Sequence, residues 1–442
     1  MGSSDDAVAQ ALKSPKLATL AGNLTPTFER SNAEVDGNIL LGVCGPPRSP
    51  TQLAKALSHM PARACIDGLQ PYERLHMVSS VRDLHMPSPA GIAVARQIDL
   101  MLREGYRNRR PTHATSWQAI YALSSPNATA QKLHVPQLPA APLAAAVIGV
   151  SGIGKTAAIE RALSLYPQCV EHDQFPHMVG KHKQLVWLKV EVPESGKAID
   201  LARSLSLATD AALGTDHFMQ DAFLRNVRGS VLLNLWLRRV VAHFPGLISL
   251  DEIQNLFKIA TLSQRTDGRK GSQRPQLRIV DDEALKFILT LINVAKFPVL
   301  VSGTPDAMAI FETRMSTSQR LTIEGLIRFH HATIPDDGYF KDILLPALLQ
   351  YQWLDQKVQH TPALLQAMHR YTAGLPRLCV NLWVQAQRLA LEKNAKVLEI
   401  KHLEHVAATT MAPVRPAVEA LLSGDPRRML QYEDIRPDFD QQ

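Results

Sequence analysis

Short apolar runs alternate with amphipathic segments through the middle of the chain. Four of the runs have the length of a buried strand, and they cover residues 144–148, 185–192, 247–250 and 298–302. Segments with apolar residues at helical spacing follow or separate them, and they cover residues 156–165, 198–213, 230–244 and 281–296. Strands that are joined through helices favour a parallel sheet with both faces covered. The pattern therefore predicts an α/β fold.

The segments on either side of this region lack the alternation of strands and helices, and they divide into four further parts. Residues 1–71 are rich in Ala, Pro, Ser and Gly, which predicts a partly ordered N-terminal extension that is available for docking a partner. We expect a helical lead-in at residues 72–135, the α/β core at 136–335 and a helical domain at 336–411. Prolines among charges predict a C-terminal tail at 412–442 that can contain one helix near residues 417–422.

The first predicted strand leads into Gly149-Val150-Ser151-Gly152-Ile153-Gly154-Lys155-Thr156, a match to the phosphate-loop pattern G-x-x-x-x-G-K-[ST]. Glycine is needed because backbone N–H groups must close around phosphates at angles and distances that a Cβ would obstruct. Lys155 is expected to reach the β and γ phosphates, and the Thr156 hydroxyl to hold Mg²⁺. The predicted nucleotide-binding residues are Gly149, Ser151, Gly152, Ile153, Gly154, Lys155, Thr156 and Ala157. The competing interpretation is a glycine-rich turn without a ligand.

The third predicted strand runs directly into two carboxylates, Asp251 and Glu252. In phosphate-loop NTPases an acid at such a strand end holds the Mg²⁺ shell, and a neighbouring acid polarises the attacking water. We assign the first role to Asp251, which together with Thr156 makes the metal site, and the second role to Glu252. The alternative is that the two acids cap the first turn of a helix.

Two later residues are candidates for sensing the state of the nucleotide. Thr304 follows the fourth strand and can contact the γ-phosphate or the lytic water, although a turn in which Thr304 caps the next helix fits equally well. Arg377 projects from the first turn of a predicted helix, behind Pro376. If the helical domain folds over the sheet, Arg377 can touch the triphosphate and report its state by moving that domain. An ordinary capped helix would have the same sequence.

Composition narrows the class of protein. The chain has 442 residues, of which 45% are hydrophobic, so it can bury a sizeable core. A net charge of +7 and a pI near 9.2 suit a polyanionic partner. The cysteines Cys44, Cys65, Cys169 and Cys379 have no C-x-x-C spacing, which indicates neither a zinc site nor a disulfide framework. No apolar run approaches a membrane span, and we expect a cytoplasmic setting.

The motifs resemble, in their order, those of the AAA+ ATPases. The motifs concerned are the phosphate loop, Asp251-Glu252-Ile253-Gln254-Asn255-Leu256, Ser302-Gly303-Thr304-Pro305 and Gly374-Leu375-Pro376-Arg377. More narrowly, three of the segments are similar to the TniB/TnsC branch, the ATPase regulators of transposons; these are 251–256, 303–305 and the upstream Gly105-Tyr106 with Arg109-Arg110-Pro111. The resemblance covers about residues 72–411. It implies an AAA+ P-loop NTPase core with a parallel sheet flanked by helices, a C-terminal helical lid and an N-terminal extension.

The resemblance also implies an ATP- and Mg²⁺-dependent regulator of DNA transposition. ATP-bound subunits would assemble into rings or helical filaments on double-stranded DNA, engage a target-selection protein and recruit the transposase, and hydrolysis would disassemble the filament. An arginine of one subunit would complete the neighbour's site by offsetting charge on the transferring phosphate. Arg314, Arg320 and Arg328 are the candidates, and we favour Arg320. The alternative is that all three are solvated surface charges.

Residues that contact DNA are predicted from charge alone. Residues 261–278 combine basic side chains with Gly, Ser and Gln, as in a flexible loop that contacts phosphates without reading sequence. A solvated insertion has the same composition. The cations of this loop are Arg265, Arg269, Lys270 and Arg274, and a second candidate pair is Lys181 and Lys183.

Two other functions fit the same sequence. One is a helicase-loader or initiator-like ATPase that remodels DNA. The other is a nucleotide-switched scaffold of a defence system that does not bind DNA. Nucleotide-dependent DNA binding separates the scaffold from the other two functions, and association with a transposase separates the transposition regulator from the loader.

Overall fold

A five-stranded sheet, in which every neighbouring pair of strands is parallel, forms the centre of the fold. The computed structural model describes residues 37–63, 65–125, 141–224, 226–259, 277–279, 282–307, 315–432 and 435. The strands of these ranges are β1 (Ala144–Gly149), β2 (Cys169–His172), β3 (His182–Leu185), β4 (Trp187–Glu191), β5 (Leu247–Asp251), β6 (Phe257–Ile259), β7 (Leu277–Ile279), β8 (Val299–Gly303) and β9 (Leu326–Phe329). The order in the sheet is β4-β5-β8-β1-β9, and the predicted parallel α/β fold is confirmed.

Helices pack against this sheet and continue into a separate helical unit. They are α1 (Pro50–Leu57), α2 (Pro71–Met77), α3 (Pro89–Arg107), α4 (Ala114–Ser124), α5 (Lys155–Leu163), α6 (Ala198–Leu213), α7 (His217–Ala222), α8 (Gly229–Val240), α9 (Asp282–Asn293), α10 (Met315–Leu321), α11 (Leu345–Leu348), α12 (Pro362–Thr372), α13 (Pro376–Glu392), α14 (Ile400–Ala408), α15 (Arg415–Ser423) and α16 (Pro426–Met429). Shorter turns of 3₁₀-helix cover Ile39–Cys44, Val78–Asp83, Val241–His243, Ile253–Leu256 and Pro305–Ala307, and a π-helical turn covers Phe340–Leu344.

Several helices begin where the sequence supplies a cap and a proline. Ser49 caps α1 in a reciprocal capping box with Gln52. The Ser88 hydroxyl accepts a hydrogen bond from the Gly91 N–H at the start of α3, and Thr361 caps α12 in the same way. Proline occupies the first turn of all three helices, where its missing N–H has no intrahelical partner to lose.

The second predicted strand, residues 185–192, is wrong as a single element. His182–Leu185 pairs antiparallel with Cys169–His172 in a separate two-stranded sheet, and the main sheet receives only Trp187–Glu191. The chain changes sheet at Val186, whose N–H donates to the Gln168 carbonyl. A continuous apolar run therefore covers two strands with different partners.

The strand β9 has no counterpart among the predicted elements. It is four residues long, contains Arg328 and forms the edge of the sheet beside β1. A short strand with a charged residue lacks the continuous apolar run that indicates a buried strand. Its pairing with β1 nevertheless places Phe329 beside the first glycine of the phosphate loop.

Two hydrophobic cores divide the described residues. The larger core surrounds the sheet, and the smaller one lies within the helical unit that follows β9, where Phe340, Trp383 and Leu403 are fully buried. We call this unit, residues 339–411, the lid. The predicted lead-in, residues 72–135, belongs to both cores: Val78 and Val81 are buried in the lid core, whereas α3 packs on the sheet.

Both terminal segments contribute to the sheet core. In the N-terminal extension, Leu40 and Leu53 are buried in that core. Near the C-terminus, Val418 and Leu421 of α15 are 3% exposed and belong to the same core. The segment 412–442 is therefore not a tail along its whole length, because an amphipathic helix near its start buries its apolar face.

A β-hairpin replaces part of the predicted basic loop. Phe257–Ile259 pairs antiparallel with Leu277–Ile279, so that the residues on either side of 260–276 are brought together. The predicted DNA-contacting residues Arg265, Arg269, Lys270 and Arg274 lie outside the described residues. Among the helices of the described ranges, none combines the length and apolarity needed to cross a membrane.

Candidate functional site

The phosphate loop joins β1 to α5 and depends on its glycines. Gly152 and Gly154 have φ angles of +77° and +101°, which residues with a side chain rarely adopt. Gly149 is required by packing, because a Cβ at this position would lie 2.7 Å from the Cβ of Phe329. The loop can therefore curve with its backbone toward a cavity of about 890 Å³, which residues 151–157 help to line.

Lys155 is buried at the base of this loop. Its ammonium group donates hydrogen bonds to the carbonyl oxygens of Gly149, at 2.7 Å, and Val150, at 3.2 Å. Burial lowers the pKa of Lys155, and the carboxylates of Glu252 and Asp251 oppose this shift. A lysine that is short of negative partners and lines a cavity is suited to bind an anionic group there.

Asp251 ends β5 and meets the start of α5. The Thr156 hydroxyl donates to Asp251 Oδ2 at 2.8 Å, the Ser302 hydroxyl donates to Oδ1 at 2.6 Å, and the Glu252 N–H donates to Oδ1 at 3.0 Å. Asp251 is 3% exposed, and these donors replace the water that a buried carboxylate loses. The end of the phosphate loop and the acidic end of β5 therefore lie in direct contact, within one site.

Glu252 has a strained backbone beside this carboxylate. Its φ angle is +55°, in the left-handed region that glycine favours. The Glu252 carboxylate accepts a hydrogen bond from the Gln254 amide, and the side chain lines the cavity. The sharp turn after Asp251 places the Glu252 side chain at the cavity beside the phosphate loop. The Glu252 carbonyl also accepts a hydrogen bond from the Asn255 N–H, so Glu252 begins the 3₁₀ turn Ile253–Leu256, as the helix-start alternative held.

Gln254 connects Glu252 to the predicted sensor Thr304. Its side-chain oxygen accepts a hydrogen bond from the Thr304 N–H at 3.3 Å, while its amide nitrogen donates to Glu252. The Thr304 hydroxyl donates to Asp306, and the Thr304 carbonyl accepts from the Ala307 N–H. Thr304 therefore starts a 3₁₀ turn, as one of the two interpretations held, and also lines the cavity.

Arg377 brings the lid against the phosphate loop. The Arg377 N–H donates to the Gly152 carbonyl at 3.3 Å, and a Cβ on Gly152 would lie 3.4 Å from the Arg377 Cβ. The side chain of Arg377 is exposed and lines the cavity together with Pro376 and Asn381 of the same helix. The lid helix α13 thus contributes to the cavity wall and contacts the phosphate loop directly.

Another part of the cavity wall is less polar than the phosphate loop. Leu84, His85, Met86 and Leu344 line it, and the Tyr339 hydroxyl donates to the Met86 carbonyl at 2.7 Å. Burial lowers the pKa of His85 to about 4, so its ring is neutral near pH 7. This wall can accept a neutral aromatic group such as a nucleobase.

The chemistry of these groups fits a nucleoside triphosphate with Mg²⁺. The Thr156 hydroxyl and the Asp251 carboxylate supply the hard oxygen atoms that Mg²⁺ prefers. Lys155 and Arg377 supply positive charge at the loop, and the glycine backbone leaves it accessible. The cavity lining combines the polar groups of the loop with apolar side chains such as Leu84, Met86 and Leu344, which suits the phosphates and the base of a nucleotide.

The remaining predicted residues lie elsewhere or are already engaged. Arg320 is exposed at the end of α10, Arg328 lies in β9, and Arg314 is outside the described residues. Lys181 forms salt bridges with Glu171, at 2.7 Å, and Asp173, at 3.4 Å. Lys183 donates a hydrogen bond to the Leu213 carbonyl. Both lysines therefore have partners within this chain, and their contact with DNA stays a prediction.

Three groups at the site were not assigned a role from the sequence. Ser302 lies opposite Asp251 because β5 and β8 pair with Leu250 beside Val301. Gln254 links the acidic pair to Thr304, and residues 84–86 line the cavity although they precede the loop by more than 60 positions. Aligning the two predicted strands could have indicated that Ser302 lies beside Asp251. The segment 84–86 carries no motif, so the sequence offered no signal that it lines the cavity.

Comparison with known proteins supports the architecture. A sequence profile described as an AAA domain matches residues 141–311. None of the curated proteins matches the chain. The AAA domain, the parallel sheet and the helical lid together show an AAA+ P-loop NTPase fold.

Solved structures show only distant similarity. An ORC2 protein of Aeropyrum pernix, in ADPNP and ADP complexes, is 13% identical with a TM-score of 0.36, and the match covers 61% of this chain and 62% of that chain. Drosophila ORC bound to DNA is 13% identical with a TM-score of 0.36, covering 72% and 66%. NtrX from Brucella abortus is 12% identical with a TM-score of 0.32, covering 72% and 65%. Each match spans less than two thirds of the other chain.

The strain at Glu252 predicts an unusual effect of glycine. Glu252→Gly should unfold with a free energy about 0.5–1 kcal/mol higher than Glu252→Gln in the absence of nucleotide, because glycine adopts a positive φ without steric cost. Both variants lack the carboxylate, so the loss of its charge is common to the two proteins. Urea denaturation of the two proteins measures the difference, and a less stable Glu252→Gly protein would contradict the inferred strain.

Proposed function

We propose that this chain is an ATP-hydrolysing regulator of DNA transposition. It assembles as an oligomer or filament on double-stranded DNA, links a target-selection protein to the transposase, and disassembles on hydrolysis. The hydrogen bond between Thr156 and Asp251 carries the nucleotide part of the proposal, because it joins the phosphate loop to the acidic strand end. The similarity of the segments 105–111, 251–256 and 303–305 to the TniB/TnsC branch supports the transposition part.

ATP is proposed to lie along the cavity between the sheet and the lid. Its phosphates bind the backbone N–H groups of the loop at the N-terminus of α5, where the helix dipole favours negative charge. Lys155 turns from the Gly149 and Val150 carbonyls to the β and γ phosphates. The adenine base lies against Leu84, His85 and Met86.

The proposed hydrolytic step uses the two acids differently. When bound, Mg²⁺ neutralises charge that develops on the phosphates, and Thr156 and Asp251 hold it. Glu252 turns from the Gln254 amide to orient the attacking water and accept its proton. Thr304 is placed to contact the water or the γ-phosphate, and Arg377 offsets phosphate charge from the lid side.

Assembly is proposed to complete the site. Arg320 is exposed near the sheet edge formed by β9, from which an arginine can reach a neighbouring subunit. Its guanidinium would offset charge on the transferring phosphate of that neighbour. The basic residues between β6 and β7 are proposed to contact the DNA backbone, because Lys and Arg side chains on phosphates release counterions without reading sequence.

Substitutions at the loop and at the second acid should separate nucleotide binding from hydrolysis. Lys155→Ala should abolish ATP binding and ATP-dependent assembly, because the loop loses its phosphate-binding cation. Glu252→Gln should bind ATP and assemble but reduce turnover at least about 100-fold. Calorimetry, light scattering and phosphate release measure the three properties. Lys197→Ala, which removes an exposed lysine, is the control. Wild-type hydrolysis by both test variants would refute the assignments.

A third variant tests whether sites are shared between subunits. Arg320→Ala should keep wild-type ATP affinity and lose about 10³-fold or more in turnover, because its role is exerted on the neighbour. Mixing it with Glu252→Gln protein, which is expected to assemble and whose Arg320 is intact, should restore part of the activity. Arg96→Ala, at an exposed position of α3, is the matched control. Normal hydrolysis by Arg320→Ala would assign the role to another residue.

DNA binding should depend on both nucleotide and salt. We expect the full chain to bind duplex DNA with a nonhydrolysable ATP analogue, and alanine at Arg265, Arg269, Lys270 and Arg274 should reduce the slope of log affinity against log salt by about 0.9 per lost contact. Fluorescence anisotropy over a salt series measures this, with Lys393→Ala/Lys396→Ala as the control. No binding at low salt would reject the DNA function and favour the nucleotide-switched scaffold. Binding without association with a transposase would favour the helicase-loader alternative.

A further inference from the structure

One face of the lid helix α13 passes along the cavity between the sheet and the lid. The first turn of the helix lies at the phosphate loop, where the Arg377 N–H donates to the Gly152 carbonyl at 3.3 Å. About three turns later the Arg388 guanidinium donates to the Ser79 hydroxyl, in the turn that precedes residues 84–86. The helix therefore runs from the phosphate loop toward the segment that continues into the apolar part of the cavity wall.

Asn381 lies on this face between the two ends. Because residues four apart share one side of a helix, Asn381 follows Arg377 at about 6 Å along the axis. Both residues line the cavity. Cys379 and Trp383, on the other side of the helix, are fully buried in the lid core. The helix thus holds Asn381 on the cavity side, one turn closer than Arg377 to the segment 84–86.

The Asn381 amide is available to a ligand. The residue is only partly buried, and within the part of the chain that the structure describes its side chain has no hydrogen-bond partner. The other two side-chain amides at the cavity are engaged, Gln254 with Glu252 and Asn255 with the Val192 carbonyl. Asn381 therefore offers the cavity an N–H donor and a carbonyl acceptor that the fold does not use.

We propose, building on the nucleotide-binding function proposed above, that Asn381 recognises the adenine base. Its carbonyl accepts a hydrogen bond from the 6-amino group, and its amide donates to N7. This edge of adenine carries a donor beside an acceptor, which matches an asparagine side chain. Guanine carries two acceptors, N7 and O6, on the same edge, so the Asn381 carbonyl would face O6 unpaired. Apolar contacts with residues 84–86 do not distinguish the two purines, and the amide therefore sets the preference for ATP over GTP.

Nucleoside diphosphates test this role without hydrolysis. The full chain with Mg²⁺ is titrated calorimetrically with ADP, with 7-deaza-ADP, which has a C–H in place of N7, with GDP and with 2′-deoxy-ADP. The wild type should bind ADP about fivefold more tightly than 7-deaza-ADP, the effect of one hydrogen bond. It should prefer ADP to GDP by at least about tenfold, because GDP leaves a polar group of the site unpaired.

A leucine variant and a matched control make the test specific to the amide. Asn381→Leu is similar in size, and it should bind ADP and 7-deaza-ADP equally and reduce the preference for ADP over GDP about fivefold. Asn234→Leu replaces a partly buried asparagine in the middle of α8, which does not line the cavity, and should keep both wild-type ratios. A purely structural role of Asn381 would weaken the binding of all four nucleotides alike and leave the ratios unchanged.

The possible results separate this role from nucleotide binding itself. A wild type that binds none of the four nucleotides would refute both proposals. A wild type that binds ADP and 7-deaza-ADP equally, or an Asn381→Leu protein that keeps the wild-type ratios, would overturn the role of Asn381 alone. A change in the ratio of ADP to 2′-deoxy-ADP affinity in place of the base ratios would put Asn381 at the ribose, and base recognition would again be wrong.

Discussion

The carboxylate of Asp251 accepts hydrogen bonds from Thr156, from Ser302 and from the backbone of Glu252. Thr156 belongs to α5, Ser302 belongs to β8, and Glu252 lies in the strained turn after β5. A buried carboxylate is tolerated only where such donors replace water, so the ends of β5 and β8 and the start of α5 have one permitted arrangement. The parallel register of β5 with β8 places Ser302 opposite Asp251, and the glycines of the phosphate loop bring Thr156 within reach. The positions of Lys155, Glu252 and the cavity between them all follow from this arrangement.

The lid is connected to the rest of the protein in two ways: by the chain that follows β9, and by an earlier segment that packs against it. Residues 60–83 pack with the lid, where the Tyr351 hydroxyl donates to the Pro61 carbonyl and Arg74 pairs with Asp355 at 2.7 Å. The chain crosses between the two cores near His59 and again near His85, and these residues exchange two backbone hydrogen bonds of 2.8 Å. His85 and Arg377 both line the cavity, and the Arg377 N–H contacts the phosphate loop, so a ligand in the cavity would lie beside both the sheet and the lid.

The sequence predicted the parts of this arrangement that depend on local chemistry. The glycine spacing indicated the loop, and an apolar strand ending in Asp251 and Glu252 indicated the acidic pair that the structure places beside it. Contacts between residues that are far apart in the sequence could not be predicted from such local patterns. The apolar run at 185–192 divides between two sheets, β9 is too short and too polar to be noticed, and residues 71–83 join the lid although the chain separates them by more than 250 positions. Lys181 pairs with Glu171 and Asp173, and Lys183 donates to the Leu213 carbonyl, contacts that the pattern of charges in the sequence did not indicate. The spacing of apolar residues predicts which side of a helix or strand is buried, but it does not predict which other element packs against that side.

The central claim is that the phosphate loop and Asp251 hold one magnesium-bound triphosphate between them. A structure of the full chain with Mg²⁺ and a nonhydrolysable ATP analogue tests this most directly. The account predicts the phosphates on residues 151–156, the metal between the Thr156 hydroxyl and the phosphates with Asp251 in its shell, and the base against residues 84–86. A nucleotide bound elsewhere, or a cavity that stays empty at saturating analogue, would contradict it.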